Sequence, residues 1–309
     1  MTKIPVVMCI DVEPDERQID PNVQRPWTGF ELTYELFSKL RLRLETTTGS
    51  PVHFSWFFRM DPQIARTYGS AAWVVTRYSS LIEEIKRAGD ALGLHIHAWR
   101  WNETSDNWFE DLASQEWVNH CISMGFEAFR ESLHQPCLYF RFGDHWMNNA
   151  TLDLVEKLGA RFDLTLEPGQ KGGHIPEPFT GLFLDYSHVP QYPYRPSKTD
   201  FRRPGSFFRR RLWIIPLSAG SKEWSGKSTY PEEYMTLNLS FDSWILCRII
   251  DRLLSSLKNP YLTLVTRSDI PLHPDQHSNL EQTFDYVMSH PLIRQLAFET
   301  PAEMIKRGK

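Results

Sequence analysis

Short runs of apolar residues alternate along the chain with segments in which apolar residues recur every three or four positions. The first run, PVVMCI at residues 5–10, is apolar throughout, which is typical of a strand buried on both faces of a parallel sheet. The same pattern predicts further strands over residues 52–58, 91–98, 137–142, 161–166, 212–216, 261–266 and 296–298.

The helical pattern is clearest over residues 31–44, where Leu32, Leu36, Leu40 and Leu44 fall on one face. It also predicts helices over residues 78–88, 108–133 (one helix or two), 149–158, 275–289, and from an N-cap at Ser240 to about residue 257. Strands that alternate with helices indicate a parallel sheet, and seven or eight such units favour a (β/α) barrel over an open sheet.

One stretch departs from this alternation. Residues 167–205 are rich in Pro and Gly, with a short strand candidate at 182–186, and we interpret them as a long excursion over one face of the barrel. The chain has no internal repeat and no linker, so residues 1–309 are predicted to form a single domain that includes this excursion.

Composition narrows the classes of function. The 309 residues are 41% hydrophobic and 23% charged, with a formal net charge of −4, which excludes disorder as the main state and gives no basic excess for nucleic acid. The densest basic run, residues 209–211, is too short to change this, and no apolar run is long enough for a membrane span. The four cysteines lie far apart without a CxxC pair, and the N-terminus resembles a core strand rather than a secretion signal. We therefore expect a cytoplasmic protein.

In a (β/α) barrel the functional groups follow the carboxyl ends of the strands. The first strand ends in Asp11 and Glu13, and the third ends in His95 and His97. Residues two apart in a strand point to the same side, so each pair faces the barrel mouth together. Two neutral imidazoles with a carboxylate form a common site for Zn²⁺ or a similar divalent cation. The alternative is that the two carboxylates lie in solvent at the start of a loop and that the histidines are ordinary polar residues with no ligand.

Other strand ends carry further candidates. Arg141 is suited to holding a carboxylate in one orientation. Asp163 ends the fifth strand region, and Arg267 follows the strand predicted over residues 261–266. The flat rings of Trp99 and Trp146, near the predicted site, are suited to stacking on a sugar. A salt bridge at the barrel rim and simple core packing are the alternatives for the charged residues and the tryptophans, respectively.

Three motifs in order, CIDVE at 9–13, LGLHIHAW at 92–99 and YFRFGDHW at 139–146, resemble the polysaccharide deacetylase superfamily (NodB homology, carbohydrate esterase family 4). The resemblance spans roughly residues 4 to 300. It implies an α/β fold of one domain, an irregular (β/α)7 barrel. It also implies removal of acetyl groups from N-acetylated sugars with a divalent metal, usually Zn²⁺.

By this resemblance Asp11 is the catalytic base and Arg141 orients it. Glu13 is the metal carboxylate, displaced by one residue and Glu where Asp is usual, and His95 is the first metal histidine. The usual second histidine lies four residues after the first, where this chain has Trp99, so His97 is expected to substitute for it as the third ligand.

The family's late motif supplies a histidine as general acid, but this chain has Arg267 in that neighbourhood. We take His145 as the first candidate for the general acid, with His188 and His273 as others. Trp99, Trp146, Asp163 and Arg267 are predicted to contact substrate.

The predicted function is metal-dependent removal of an acetyl group from an N-acetylated sugar, in surface polysaccharide (O-antigen-type) biosynthesis. For a cytoplasmic enzyme the carbohydrate substrate would be a nucleotide-linked or lipid-linked sugar. One alternative is a metal-dependent hydrolase of another amide or a formyl group. The other is a non-catalytic member of the family that binds a sugar or a partner.

Overall fold

The central strand, β1 (Ile4–Val12), has hydrogen-bonded neighbours on both edges and buried residues on both faces, which explains its continuous apolar sequence. The computed structural model describes residues 3–174, 179–226, 233–256 and 260–307. β1 belongs to an eight-stranded parallel sheet with β2 (Ser55–Arg59), β3 (Ala91–Ile96), β6 (Tyr139–Phe142), β7 (Phe162–Asp163), β11 (Trp213–Ile214), β14 (Leu262–Arg267) and β15 (Leu296–Phe298).

The strand order is β11-β7-β6-β3-β2-β1-β14, and β15 pairs with β1 alongside this path. Each pairing within the sheet is parallel. Helices cover the outer face: α1 (Thr28–Thr48), α2 (Pro62–Tyr68), α3 (Trp73–Arg77), α4 (Ser79–Arg87), α5 (Gln115–Leu133), α6 (Asn149–Lys157), α7 (Ser243–Ser256), α8 (Pro274–Ser289) and α9 (Pro301–Arg307).

The sheet curls into an irregular (β/α) barrel of one domain, which confirms the predicted fold class. The two ends of the sheet, at β11 and β14, are connected through the segment that follows β11 rather than by regular strand pairing. The Ser218 amide donates to the Thr263 carbonyl at 3.0 Å, and the Thr263 amide donates to the Ser218 hydroxyl at 2.9 Å. A small apolar cluster that includes Val7, Cys9 and Val265 fills the curled sheet.

Two strands outside the barrel sheet correct the sequence analysis. The predicted helix over residues 108–133 begins only at Gln115, and the residues before it form an antiparallel hairpin of β4 (Trp99–Asn102) and β5 (Asn107–Asp111). Ser114 caps α5 by accepting from the Trp117 amide at 3.2 Å. The helix prediction failed because the apolar residues of β5 continue the spacing of the helix after it.

The predicted N-cap at Ser240 is also wrong. Asp242 caps α7, since its carboxylate accepts from the Ile245 amide at 3.2 Å, while the Ser240 hydroxyl donates to Asn238. The predicted helix end at residue 257 lies outside the described residues.

The excursion over residues 167–205 contains short strands, β8 (Gly173–His174), β9 (Phe179–Thr180) and β10 (Leu182–Phe183). β8 and β10 pair with each other, whereas β9 extends the hairpin by pairing with β5. Beyond β11, β12 (Ala219–Ser221) pairs with β13 (Tyr234–Thr236). Within the described ranges, 3-10 turns cover Gly143–His145, Lys222–Ser225, Ile270–Leu272 and Ile293–Gln295. Among the described residues, none of the helices has both the length and the apolarity that crossing a bilayer requires.

Candidate metal centre and active site

The alternation of side chains along β1 carries two carboxylates to the barrel mouth. Val7 and Cys9 face the inside of the curled sheet, and Asp11 and Glu13 follow at the same spacing. Both carboxylates are buried. The Ser268 hydroxyl accepts from the Glu13 amide at 2.9 Å and donates to the Glu13 carbonyl at 3.0 Å, which fixes the backbone where β1 ends.

The two histidines at the end of β3 are both buried, and each has its Nδ1 atom held by an acceptor. His95 Nδ1 lies 3.2 Å from the Arg141 carbonyl, while His97 Nδ1 lies 3.2 Å from Glu110 and 3.0 Å from Asp144. A carbonyl accepts only from a protonated nitrogen, so His95 carries a proton on Nδ1 and turns Nε2 toward Glu13 and His97.

The Nε2 atoms of His95 and His97 lie 3.2 Å apart, and Glu13 Oε1 lies 3.3 Å from His95 Nε2. A tetrahedral Zn²⁺ with bonds of about 2.0–2.1 Å needs donor atoms roughly 3.3 Å apart. Three buried electron-pair donors this close repel one another unless a cation or a proton lies between them. The predicted ligand set Glu13, His95 and His97 is therefore brought together, and its donor types fit Zn²⁺ or a similar divalent ion.

Arg59 holds the second oxygen of the Glu13 carboxylate. Its Nη1 lies 3.4 Å from Glu13 Oε2, and its Nε donates to Asp61 at 2.8 Å. Burial acts to raise the pKa of Glu13, but hydrogen bonds with His95 and His97 outweigh it and hold that pKa well below its ordinary value. Glu13 is thus ionised, with Oε2 facing Arg59 and Oε1 facing His95.

Asp11 is paired with Arg141, as predicted for a base and the group that orients it. Arg141 Nε lies 3.0 Å and 2.9 Å from the two Asp11 oxygens, and Arg141 Nη1 donates to the Leu164 carbonyl at 2.6 Å. Both residues are buried, so neither side chain is free to rotate away.

Sequence reasoning missed the group that holds the far side of His97. Glu110 comes from β5, Asp144 from the turn after β6, and Arg17 forms ion pairs with both. Burial and the neighbouring Asp144 charge raise the pKa of Glu110 to about 7. Burial acts to lower the pKa of His97, but the two carboxylates outweigh it and hold that pKa well above its ordinary value.

The sequence does contain a pattern that could have located Glu110. Residues 99–111 read WRWNETSDNWFED, in which two stretches rich in aromatic residues flank a polar turn, and this pattern is typical of a hairpin. Pairing of Trp99 with Glu110 in the hairpin returns the carboxylate to the level of His97.

The turn after β6 is shaped around the His97 ring. A Cβ atom on Gly143 would lie 2.2–2.5 Å from atoms of that ring, so only glycine fits here. Asp144 and His145 both adopt positive φ, at 50° and 48°, which is uncommon for residues other than glycine. This backbone places Asp144 against His97 and turns His145 in another direction.

His145, the predicted general acid, is half-buried on the opposite side of the turn. Its Nδ1 lies 3.8 Å from Glu167 Oε2, and Glu167 Oε1 lies 4.0 Å from Arg141 Nη2. The Thr236 hydroxyl donates to Glu167 at 2.7 Å. Glu167, at the start of the excursion, was missed because the sequence shows no pattern that brings it to the mouth. It connects His145 with the pair of Asp11 and Arg141.

Arg267 lies beside Asp11, because the two are register partners on β14 and β1. Its guanidinium donates to Asp269 at 3.0 and 2.8 Å. His273 Nε2 lies 3.4 Å from the same Asp269 carboxylate.

The other three residues that were predicted to contact substrate have buried side chains. Trp99 is 1% exposed, with Arg17 over its ring, and Trp146 is buried against Phe142. Asp163 is the register partner of Phe140, which packs in the outer core, so it lies on the sheet face opposite Arg141. Burial raises the pKa of Asp163 to about 7. Substrate contact by these three residues stays a prediction.

No protein-family model matches the chain, and no curated protein matches it in sequence. Solved structures do share its fold over 99% of its length. A protein assigned as a glycoside hydrolase/deacetylase from Parabacteroides distasonis is 13% identical, with a TM-score of 0.60 over 71% of that chain. A protein assigned as a polysaccharide deacetylase from Mycobacterium smegmatis is 13% identical, with a TM-score of 0.51 over 90% of that chain.

PuuE allantoinase is 12% identical, with a TM-score of 0.52 over 90% of that chain and 99% of this one. The chain therefore has the fold of polysaccharide deacetylases, which confirms at the level of the fold the resemblance seen in the three sequence motifs. Because an allantoinase has this fold too, the fold alone does not define the substrate.

Proposed function

We propose that this protein is a metal-dependent hydrolase that removes an acetyl group from an N-acetylated sugar. The observation that carries the proposal is the convergence of Glu13, His95 and His97, whose donor atoms lie 3.2–3.3 Å apart for the two closest pairs. The base, its orienting arginine and the histidine beside Glu167 surround the same mouth. The shared fold with proteins assigned as deacetylases supports the choice of reaction.

Glu13, His95 and His97 would hold Zn²⁺ or another divalent cation, and a bound ion of this kind lowers the pKa of water and polarises a carbonyl. Asp11 is the group that accepts the proton of the attacking water. Arg141 contacts both Asp11 oxygens and keeps them pointing into the mouth.

Amide hydrolysis also needs a proton on the leaving nitrogen, because an amide anion is a very poor leaving group. His145 is the group we assign to this step. Glu167 Oε2 lies 3.8 Å from its Nδ1 and orients the ring at the edge of the mouth. Glu167 acts here as a positioning residue.

The substrate we propose is a nucleotide-linked or lipid-linked N-acetylated sugar, in the biosynthesis of a surface polysaccharide. The support is the family resemblance of the sequence and the expected compartment. A second candidate is hydrolysis of a different amide or of a formyl group by the same residues. The specific observation in its favour is the structural similarity to an allantoinase, whose TM-score of 0.52 lies between the 0.51 and 0.60 of the two proteins assigned as deacetylases.

The experiment measures metal content by mass spectrometry and acetate release from a panel of acetylated, formylated and amidated sugars. We expect close to one Zn²⁺ per chain and acetate release from an N-acetylated sugar. His95→Ala should lose the metal, and Asp11→Asn should keep the metal and lose activity. His120→Gln, at an exposed position on α5, is the control for loss of a histidine.

A chain that stays metal-free in excess Zn²⁺ would refute the proposal. Release of formate or ammonia without acetate would select the second candidate. Metal and sugar binding without any product would instead assign the chain as a non-catalytic binding protein.

A further inference from the structure

Two adjacent phenylalanines have unusually exposed side chains. Phe207 is 97% exposed and Phe208 is 79% exposed, while no other exposed large apolar residue in the described chain exceeds the 68% of Leu42. Burial of two phenylalanine rings is one of the larger free-energy gains that a loop can make. Two adjacent rings left in water on one turn therefore indicate a surface that is covered in the working protein.

The same turn carries a concentrated positive charge. Residues 202–211 read RRPGSFFRRR, with five arginines and no acid, in a chain whose formal net charge is −4. Arg202 and Arg203 pair with Asp200, and Arg210 is buried against α6. Arg209 and Arg211 are exposed, and neither guanidinium forms an ion pair with a described carboxylate, while the Arg211 backbone amide donates to Glu156.

The turn is held in place by backbone hydrogen bonds at its base. The Lys198 amide donates to the Phe208 carbonyl at 3.0 Å, and the Arg210 amide donates to the Pro196 carbonyl at 2.8 Å. The Gly205 amide donates to the Arg195 carbonyl at 2.9 Å. Because the base is already ordered, binding through the rings would cost little conformational entropy.

We propose that Phe207 and Phe208, with Arg209 and Arg211, form an anchor that binds the surface of an anionic lipid bilayer. Adjacent aromatic rings enter the boundary between headgroups and acyl chains, and arginines beside them contact lipid phosphates. A protein partner would need a matching pocket for both rings and a surface with almost no positive charge, whereas an anionic bilayer offers both properties at any point.

The chain segment that carries the anchor, residues 201–211, also contacts the wall of the candidate active site. Phe201, at the other end of the segment, is buried and packs against Tyr186 with ring centroids 6.3 Å apart. Tyr186 in turn lies edge-on to His145, with ring centroids 6.5 Å apart. Docking of the anchor would therefore hold the side of the barrel that carries His145 close to the membrane surface.

The test is co-sedimentation of the full chain with vesicles of phosphatidylcholine alone and of phosphatidylcholine with 30% phosphatidylglycerol. We expect binding to the anionic vesicles only, with loss of binding at 0.5 M salt. The double variant F207S/F208S should reduce the bound-to-free ratio at least tenfold, and R209S/R211S should do so at low salt. Both variants should hydrolyse a soluble substrate like the wild type, so failure of anchoring and failure of the proposed reaction are separable.

The matched control is L42S/R87S, which removes one exposed leucine and one exposed arginine elsewhere on the barrel and should bind like the wild type. Absence of the wild-type chain from the anionic vesicle pellet would overturn the proposal. Equal loss of binding in the control would do so as well. Binding to soluble polyphosphate without binding to vesicles would assign the arginines to a soluble anion and also overturn it.

Discussion

The Nε2 atoms of His95 and His97 face each other at 3.2 Å, while the Nδ1 atoms of both rings point away to fixed acceptors. The acceptors behind the two rings fix the orientation of both imidazoles, and in the proposed metal centre they would tune the affinity for the ion.

Glu110→Gln should weaken metal binding. The change replaces one of the two carboxylates that hold His97 Nδ1 and leaves the proposed ligand atoms in place, so we expect a loss of about 10–100-fold in Zn²⁺ affinity. Competition with a fluorescent chelator measures it. Glu103→Gln, at the exposed end of an ion pair with Arg66, is the control and should leave the affinity unchanged. Unchanged affinity in Glu110→Gln would show that Asp144 alone orients the ring.

Gly143→Ala should disturb the same ligand from the other side. The new methyl group would overlap the His97 ring, so either the ring or the turn must move. We expect Zn²⁺ affinity to fall at least tenfold, with a folded protein by circular dichroism. Gly173→Ala, where no atom lies within 4 Å of the new methyl group, should bind the metal normally. Normal binding by both variants would mean that the ring tolerates displacement.

Arg141→Met should unfold more easily than the wild type, because it leaves the Asp11 carboxylate buried without its partner. Removal of one member of a buried pair costs about 3–5 kcal/mol of unfolding free energy. Adding Asp11→Asn to Arg141→Met should restore part of that loss, as measured by urea denaturation. Additive losses in the double variant would show that the two side chains do not stabilise each other.

His145→Asn should affect substrates according to their leaving group. A protonated group is needed when an amine leaves but not when p-nitrophenolate leaves, since that anion is stable in water. We expect kcat for an N-acetylated sugar to fall by roughly 10²–10³-fold, within the usual range for a general acid, and hydrolysis of p-nitrophenyl acetate to change little. Equal losses on both substrates would remove His145 from the role of acid. Glu167→Gln should show the same pattern with a smaller loss.

Asp163→Asn should stabilise the protein at alkaline pH. Burial raises the pKa of Asp163 to about 7, whereas an unfolded aspartate titrates near 3.9. The folded chain therefore keeps a proton between about pH 4 and 7 that the unfolded chain loses, so stability falls as the pH rises through this window.

The difference between Asp163→Asn and the wild type should thus be near zero at pH 4 and reach about 2–4 kcal/mol above pH 7. Thermal or urea unfolding over this pH range measures it. Asp285→Asn, at an exposed ion pair with Arg43, should stay within about 1 kcal/mol at each pH. If the difference in unfolding free energy between Asp163→Asn and the wild type did not change with pH, Asp163 would not be the group that takes up the proton.

The convergence of Asp11, Glu13, His95 and His97 could be predicted from the sequence because the four residues lie at the ends of strands. Residues two apart along an extended backbone share a face, and parallel strands end at the same edge, so the two pairs were expected to meet once the strands were known. Glu110 and Glu167 could not be placed in this way. Their positions depend on a hairpin and on a long excursion whose paths are set by tertiary contacts rather than by a local period.

The hairpin of β4 and β5 lies outside the barrel sheet, yet it supplies the carboxylate behind His97. In the proposed metal centre the electron density on His97 Nε2 would therefore depend in part on a hairpin that lies outside the barrel sheet. Replacement of this hairpin would change the Lewis acidity of a bound ion while the three proposed ligands stayed the same.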